Sequence, residues 1–308
     1  MRGLKILGTA SYTPKNRVYN KEFEKSIETS DEWISSRTGI KSRYFANEEE
    51  SNLYMASEVA HKLVESNNKD DIMGVIVATF TADNNTPSIA SIVQKNVGLR
   101  NNIFTFDINA ACSGFIYGLY IAKGLLLQNP SKKILLIASE KISSFLNFED
   151  RNTCILFGDG AGGVLLELQD ENIDKFIFET IGDDETIVCP SHGGKINMNG
   201  KEVFSFAINS IIKGIINILD ETNLTIDDID HFVCHQANYR IISHVYKKMK
   251  IDSKKFYINL DEYGNTSSAS IPIVLNEMNQ KSLLNKGDKI ILVGFGAGLT
   301  WGSSLIRW

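Results

Sequence analysis

Residues 106–126 read FDINAACSGFIYGLYIAKGLL, and residues 257–278 read YINLDEYGNTSSASIPIVLNEM. Each passes from a short β-branched and aromatic run, through a small or polar loop, into a longer apolar segment that opens on small residues. That order predicts strand, loop and helix. A second pair repeats as well: FGDGAGGVLLEL (157–168) and GFGAGLTWGSSLIRW (294–308) are each a glycine-rich turn followed by an apolar strand. Glycine-rich turns also recur by chance. Two echoes together are accounted for by two similar halves, 1–170 and 171–308.

The segments around these blocks extend the pattern. MGVIVATF (73–80), NIFTFDIN (102–109) and KKILLIASE (132–140) read as buried strands. SIASIVQKNVG and SGFIYGLYIAKGLLLQN read as the helices between them, while DHFVCH, KFYIN and KIILVGFG read as strands again. Alternating strands and helices predict an α/β class.

A chain of 308 residues with 43% hydrophobic and 22% charged residues is long enough for a large core. Its net charge of −5 argues against a nucleic-acid partner, because phosphate binding needs a basic surface. No apolar run reaches about 18 residues unbroken, so no membrane span is expected and a cytoplasmic protein is the reading. The thiols Cys112, Cys154, Cys189 and Cys234 are scattered, without metal-ligand or disulfide spacing, so no metal site is expected.

Cys112 falls at a strand-to-helix junction, between small residues. A helix N-terminus favours a thiolate, so a lowered thiol pKa is expected there. A small thiol also packs well beneath a tight turn, and position alone leaves both readings open. His235 stands at the end of an apolar strand, where open α/β sheets place ligand-facing groups. Asn265 lies in the loop that mirrors the Cys112 loop, although a Gly-Asn pair is also an ordinary turn former. Cys, His and Asn at three strand ends suit acyl transfer: a thiolate attacks a thioester while His and Asn donate to an oxyanion. A cysteine hydrolase uses the same residue types, with the imidazole activating the thiol.

DINAACSGF, DRNTCILFGDGAG, HQANYRII, GNTSSASIP and GFGAGLTWGS resemble the signature blocks of β-ketoacyl-acyl-carrier-protein synthase III. SYTPKNRVYN and TSDEWISSRTGIKSRY are similar to that family's N-terminal region, so the resemblance spans the whole chain. It implies a thiolase-like fold of two halves in five layers, α-β-α-β-α, and a homodimer. It implies decarboxylative Claisen condensation of an acyl-CoA primer with malonyl-acyl-carrier protein, starting fatty acid synthesis without a cofactor. Thiolases would need a second catalytic cysteine, and plant-type relatives are longer. A paralogue handling an unusual acyl group in secondary metabolism is the alternative.

The resemblance also implies roles. Cys112 carries the acyl group, and His235 and Asn265 stabilise the enolate. Backbone N–H groups of Cys112 and Ala297, beside Gly296, hold the acyl oxyanion. Trp33 and Arg37 match the adenine-stacking pair, and Arg151 a phosphate contact. Phe157, Met198, Phe204, Asn238 and Phe295 match the pantetheine tunnel. Independently, the helix after His235 places Arg240, His244, Lys247 and Lys248 on one face, suiting an acidic partner. With the match at Gln236, Ala237, Asn238 and Tyr239, that face becomes the expected carrier-protein dock. Ser205 stands where many relatives carry lysine. Thr86 stands where acetyl-specific relatives place a bulky Phe that enters the partner's acyl pocket, so a primer longer than acetyl is expected.

Overall fold

The structure, a computed structural model, describes residues 2–65, 67–171, 173–190 and 193–308. Its apolar runs become strands of two sheets. The first sheet takes β1 (Gly3–Tyr12), β2 (Ile72–Ala78), β3 (Phe104–Ile108), β4 (Lys133–Glu140) and β5 (Gly160–Gln169), in spatial order β1-β5-β4-β2-β3. β2 lies parallel to β3 and β4, while β5 is antiparallel to β4 and β1. The second sheet takes β6 (Lys175–Thr180), β7 (His231–Cys234), β8 (Lys289–Gly296) and β9 (Thr300–Arg307), in order β7-β8-β9-β6. Here β7 and β8 are parallel and the other pairs antiparallel. Both sheets therefore run first, last, next-to-last, second; the second sheet stops one strand short.

The shortfall corrects one expectation. KFYIN, read as a strand, makes only a single bridge, Phe232 to Phe256. Beyond it the Gln236 side chain takes the place of a strand partner. Its Nε2 donates to the carbonyls of Cys234 (2.8 Å) and Tyr257 (3.3 Å), and its Oε1 accepts from the Asn259 N–H at 3.1 Å. Backbone groups satisfied by a side chain need no ladder.

Side-chain alternation along the strands sets the layers. The helices of eight residues or more are α1 (Asp31–Thr38), α2 (Asn52–Val64), α3 (Ile89–Asn96), α4 (Gly114–Gln128), α5 (Gly200–Thr222), α6 (Tyr239–Met249) and α7 (Ser270–Gln280). Ile76, Leu136, Ile290 and Leu292 point inward, onto Phe115 and Leu119 of α4 and Ile273 and Val274 of α7. Their neighbours Val75, Val77 and Ile137 face Met55 and Val59 of α2. On the opposite side, Ile291 and Val293 face Ile211 and Ile215 of α5 and Ile241 of α6. The layers are thus helix, sheet, helix, sheet, helix, and the sandwiched α4 and α7 carry Cys112 and Asn265 at their N-terminal ends. Asp107, near the end of β3, fastens α3 to β3 by accepting the N–H groups of Ile89 (2.7 Å) and Ala90 (2.9 Å).

Against the expectation from apolar run length, α5 is long and apolar enough to cross a membrane by length and composition. Its buried side chains, Ala207, Ile211, Ile215 and Ile218 among them, pack on the second sheet.

Candidate active site

β3 ends at Ile108 and α4 begins at Gly114, with Ala111–Ser113 forming one 3-10 turn between them. The Asn109 Oδ1 accepts the Ala111 N–H at 3.1 Å, and the Ser113 hydroxyl donates to the Ala110 carbonyl at 2.7 Å. Ala111 sits at φ +44°, in the left-handed region. The end of β8 passes directly against this turn. A Cβ on Gly296 would stand 2.9 Å from the Cys112 nitrogen and 3.3 Å from its Sγ, so only glycine fits.

His235 continues β7, its N–H donating to the Val293 carbonyl at 2.8 Å. Its ring meets Phe295 edge-on, and Nδ1 lies 2.7 Å from Ser270 Oγ on α7. The Gln236 N–H approaches the same oxygen at 3.4 Å. Where the Ser270 hydroxyl donates to Nδ1, the ring proton stands on Nε2. Burial pushes the imidazole down to about 3, so it is neutral at neutral pH.

Asn265 is anchored by its backbone. Its N–H donates to the Leu156 carbonyl (2.8 Å), and its own carbonyl accepts from Gly158 (3.0 Å). Its Oδ1 accepts the Ser267 N–H at 2.9 Å. Among the described residues neither Asn265 Nδ2 nor His235 Nε2 has a protein partner, and both side chains line one cavity.

That cavity, about 200 Å³, brings together Cys112, His235 and Asn265. Phe157, Met198, Phe295, Gly296, Ala297 and Ala237 also line it. Phe204 does not. It lies under the Arg240 guanidinium, 5.8 Å away, while Val203 and Phe206 line the cavity. Positions 203 and 206 share a helix face, and 204 is rotated about 100° from 203. Sequence reasoning also missed Phe80, Cys189 and Ile196 in the lining, and Ser267, which sat unassigned within GNTSSAS. The end of the strand-like MGVIVATF was the signal for Phe80; the 187–206 segment carries no periodicity to read.

The electrostatics of Cys112 reverse an expectation. Burial pushes its thiol up to about 12; the Ser267 hydroxyl, donating to Sγ at 3.1 Å, opposes this, and the Glu140 charge adds to it. Burial is the largest of these contributions. Glu140 is itself buried at the end of β4, where burial pushes it up to about 7 against donors from Thr81 (2.6 Å) and Ser268 (2.7 Å).

The chain matches the 3-oxoacyl-[acyl-carrier-protein] synthase III model over residues 106–184 and that family's C-terminal model over residues 219–308. It is 43% identical to the β-ketoacyl-[acyl-carrier-protein] synthase III of Clostridium acetobutylicum, across 100% of this chain and 99% of that one. The Clostridium botulinum (strain Loch Maree) enzyme of the same name is 44% identical over the same shares. The chain belongs to the β-ketoacyl-acyl-carrier-protein synthase III family. The fold agrees: the crystal structure of the synthase III from Aquifex aeolicus superposes with a TM-score of 0.94 at 38% identity, covering 99% of this chain and 100% of that one. This is a condensing acyltransferase of the thiolase fold, and its reaction initiates fatty acid synthesis. The alternative of a secondary-metabolism paralogue is not favoured.

The other candidate residues of this synthase III sit around the cavity. The Arg151 and Arg37 guanidinia lie 4.6 and 5.8 Å from the Trp33 ring, so these three form one cluster. Asn238 caps α6 and its Nδ2 donates to the Arg37 carbonyl at 3.2 Å, tying the cluster to the chain one residue from Ala237 in the cavity wall. On α6, Arg240, His244, Lys247 and Lys248 are exposed and Ile241 and Val245 are buried, as the helical spacing predicts; Met249, on the same inner face, is half-buried, and Ile242 is buried as well. Tyr239 is exposed too. Two residues leave the expected dock: Gln236 is 1% exposed and spent on backbone groups, and Ala237 faces the cavity. Thr86 lines an adjoining cleft with Asn84 and Pro190 that shares Phe80, Asn109 and Cys189 with the Cys112 cavity.

Proposed function

We propose that Cys112 takes the acyl group from acyl-CoA and that His235 and Asn265 drive the condensation. The observation that carries this is the way both donors are presented. The Nδ1 of His235 lies against Ser270 and the Oδ1 of Asn265 is held by the Ser267 N–H, which leaves Nε2–H and Nδ2–H for a ligand in the Cys112 cavity. The Cys112 thiolate attacks the thioester carbonyl, the C–S bond to CoA breaks, and the CoA thiolate takes up the proton the thiol lost. N–H groups of Cys112 and Ala297 hold the oxyanion. Malonyl-acyl-carrier protein then loses CO2 while His235 and Asn265 donate to its carbonyl. The carbanion attacks the acyl carbonyl, a C–C bond forms and the Cys112 thiolate leaves. A neutral imidazole suits this role, since it donates a hydrogen bond without giving up a proton. No cofactor takes part.

The Trp33, Arg37 and Arg151 cluster receives the CoA nucleotide, and the basic face of α6, with Tyr239, receives the acidic carrier protein. The two segments 1–170 and 171–308 are copies of one structural unit, and the protein works in the cytoplasm as a homodimer. Support for the dimer lies at two sheet edges. The edge strand β3 carries the part-exposed pair Phe104 and Phe106, stacked at 5.9 Å. The edge strand β6 carries Phe176 and Phe178 against Tyr120 of α4, which is 55% exposed. A small Thr86, in the cleft beside the Cys112 cavity, favours a primer longer than acetyl.

Intact-mass analysis tests the scheme. Cys112→Ala abolishes the acyl-enzyme, whereas His235→Ala acylates and loses condensation by about 100-fold or more. Normal condensation by His235→Ala overturns its role. A panel of acetyl-, isobutyryl- and octanoyl-CoA reads the primer, and strong acetyl preference sinks the Thr86 reading.

A further inference from the structure

Burial works against ionisation of the very thiol the reaction needs, and one hydroxyl stands against that burial. Ser267 is 1% exposed and sits at φ +50°, a left-handed conformation that is strained for serine. This conformation lets one residue serve two partners. Its N–H holds Asn265 Oδ1 at 2.9 Å, and its hydroxyl donates to Cys112 Sγ at 3.1 Å. Its neighbour Ser268 turns the other way, donating to Glu140 at 2.7 Å, with the Ala78 carbonyl 3.2 Å from the same oxygen.

We propose that Ser267 is a catalytic residue of both half-reactions, its hydroxyl donating to the Cys112 sulfur whenever that sulfur is a thiolate. A donor aimed at sulfur favours the charged form over the neutral one. The charge appears twice, when the thiolate attacks acyl-CoA and when it leaves as the C–C bond forms. Between these events the sulfur is a thioester, a poor acceptor, and the bond is weakest. The bond thus follows the charge rather than the ground state. The other titratable groups around this sulfur are Glu140 at the end of β4, which opposes ionisation, the neutral His235, and Cys189 in the same cavity wall.

The inference rests on Cys112 being the nucleophile, and the experiment keeps the two apart. Iodoacetamide alkylation of Cys112 is followed against pH by peptide mass in the parent, Ser267→Ala and Ser267→Gly. The glycine variant removes the hydroxyl and relieves the φ strain, and remains informative if the alanine variant fails to fold. Both variants are expected to move the alkylation profile up by about one pH unit, and to slow single-turnover acylation at pH 7 about tenfold. A structural role alone does not move the profile. Profiles that superpose on the parent overturn the role of Ser267. Condensation that survives complete Cys112 alkylation overturns the nucleophile itself.

Discussion

At the scale of single residues, the site runs on protonation states set by burial. His235 has a folded pKa of about 3, below its ordinary value of 6.5. Between those values the unfolded chain binds more protons than the folded one, so this group's contribution to stability is full above pH 6.5 and is lost as pH falls toward 3. The loss from one group has a slope of up to about 1.4 kcal/mol per pH unit. Urea melts of the parent and of His235→Asn, run from pH 7 to pH 4, are expected to converge as the pH falls. Parallel curves would show that His235 is not held neutral. The residue types Cys112, His235 and Asn265 were legible in sequence as the ingredients of acyl transfer. The direction of the thiol shift was not, because it depends on how much protein surrounds Sγ, and burial comes from strands distant in the chain.

At the scale of elements, one residue of register separates a cavity wall from a helix exterior. The sequence match placed Phe204 in the tunnel, but α5 turns Val203 and Phe206 inward. Phe206→Ala is expected to change KM for acyl-CoA several-fold, while Phe204→Ala stays within about twofold; equal effects would mean that the helix face is misassigned. Gln236 makes the same point at the second sheet. A docking residue by sequence, it instead bridges β7 to the segment that fails to become a strand. Gln236→Ala leaves buried backbone groups unpaired and is expected to cost about 1–3 kcal/mol in a denaturant melt. Carrier-protein affinity should not change beyond that loss of folded protein, and a selective loss of affinity would restore its docking role. Helices and long buried strands were legible because their apolar periods are local. KFYIN was misread because its composition suits a strand, and whether a strand forms depends on a partner.

At the scale of the whole molecule, two sheets share one path, and the helices between them deliver Cys112 and Asn265 to one cavity. Tyr120 belongs to the aromatic surface we assign to the dimer, and it is exposed enough for its replacement to spare the core. Light scattering behind gel filtration is expected to give twice the 34.3 kDa chain mass for the parent and a shift toward single mass for Tyr120→Glu. A parent that runs as a monomer would remove the dimer and, with it, the reach of Thr86 into a second acyl pocket.

The amino-acid sequence by itself determined the α/β class, the repeated strand-loop-helix blocks and the three residue types we assign to the reaction, since these rest on local pattern and short motifs. The tertiary structure alone decided the rest. It decided that Ser267 reaches the sulfur, that Ser270 meets the Nδ1 of His235, that Glu140 lies close enough to oppose the thiolate, and that glycine must stand at 296. Those are contacts between groups far apart in the chain: Cys112 and Ser267 are 155 positions apart, and Cys112 and Gly296 are farther still. Distances of this kind are set only when two sheets close on the helices between them.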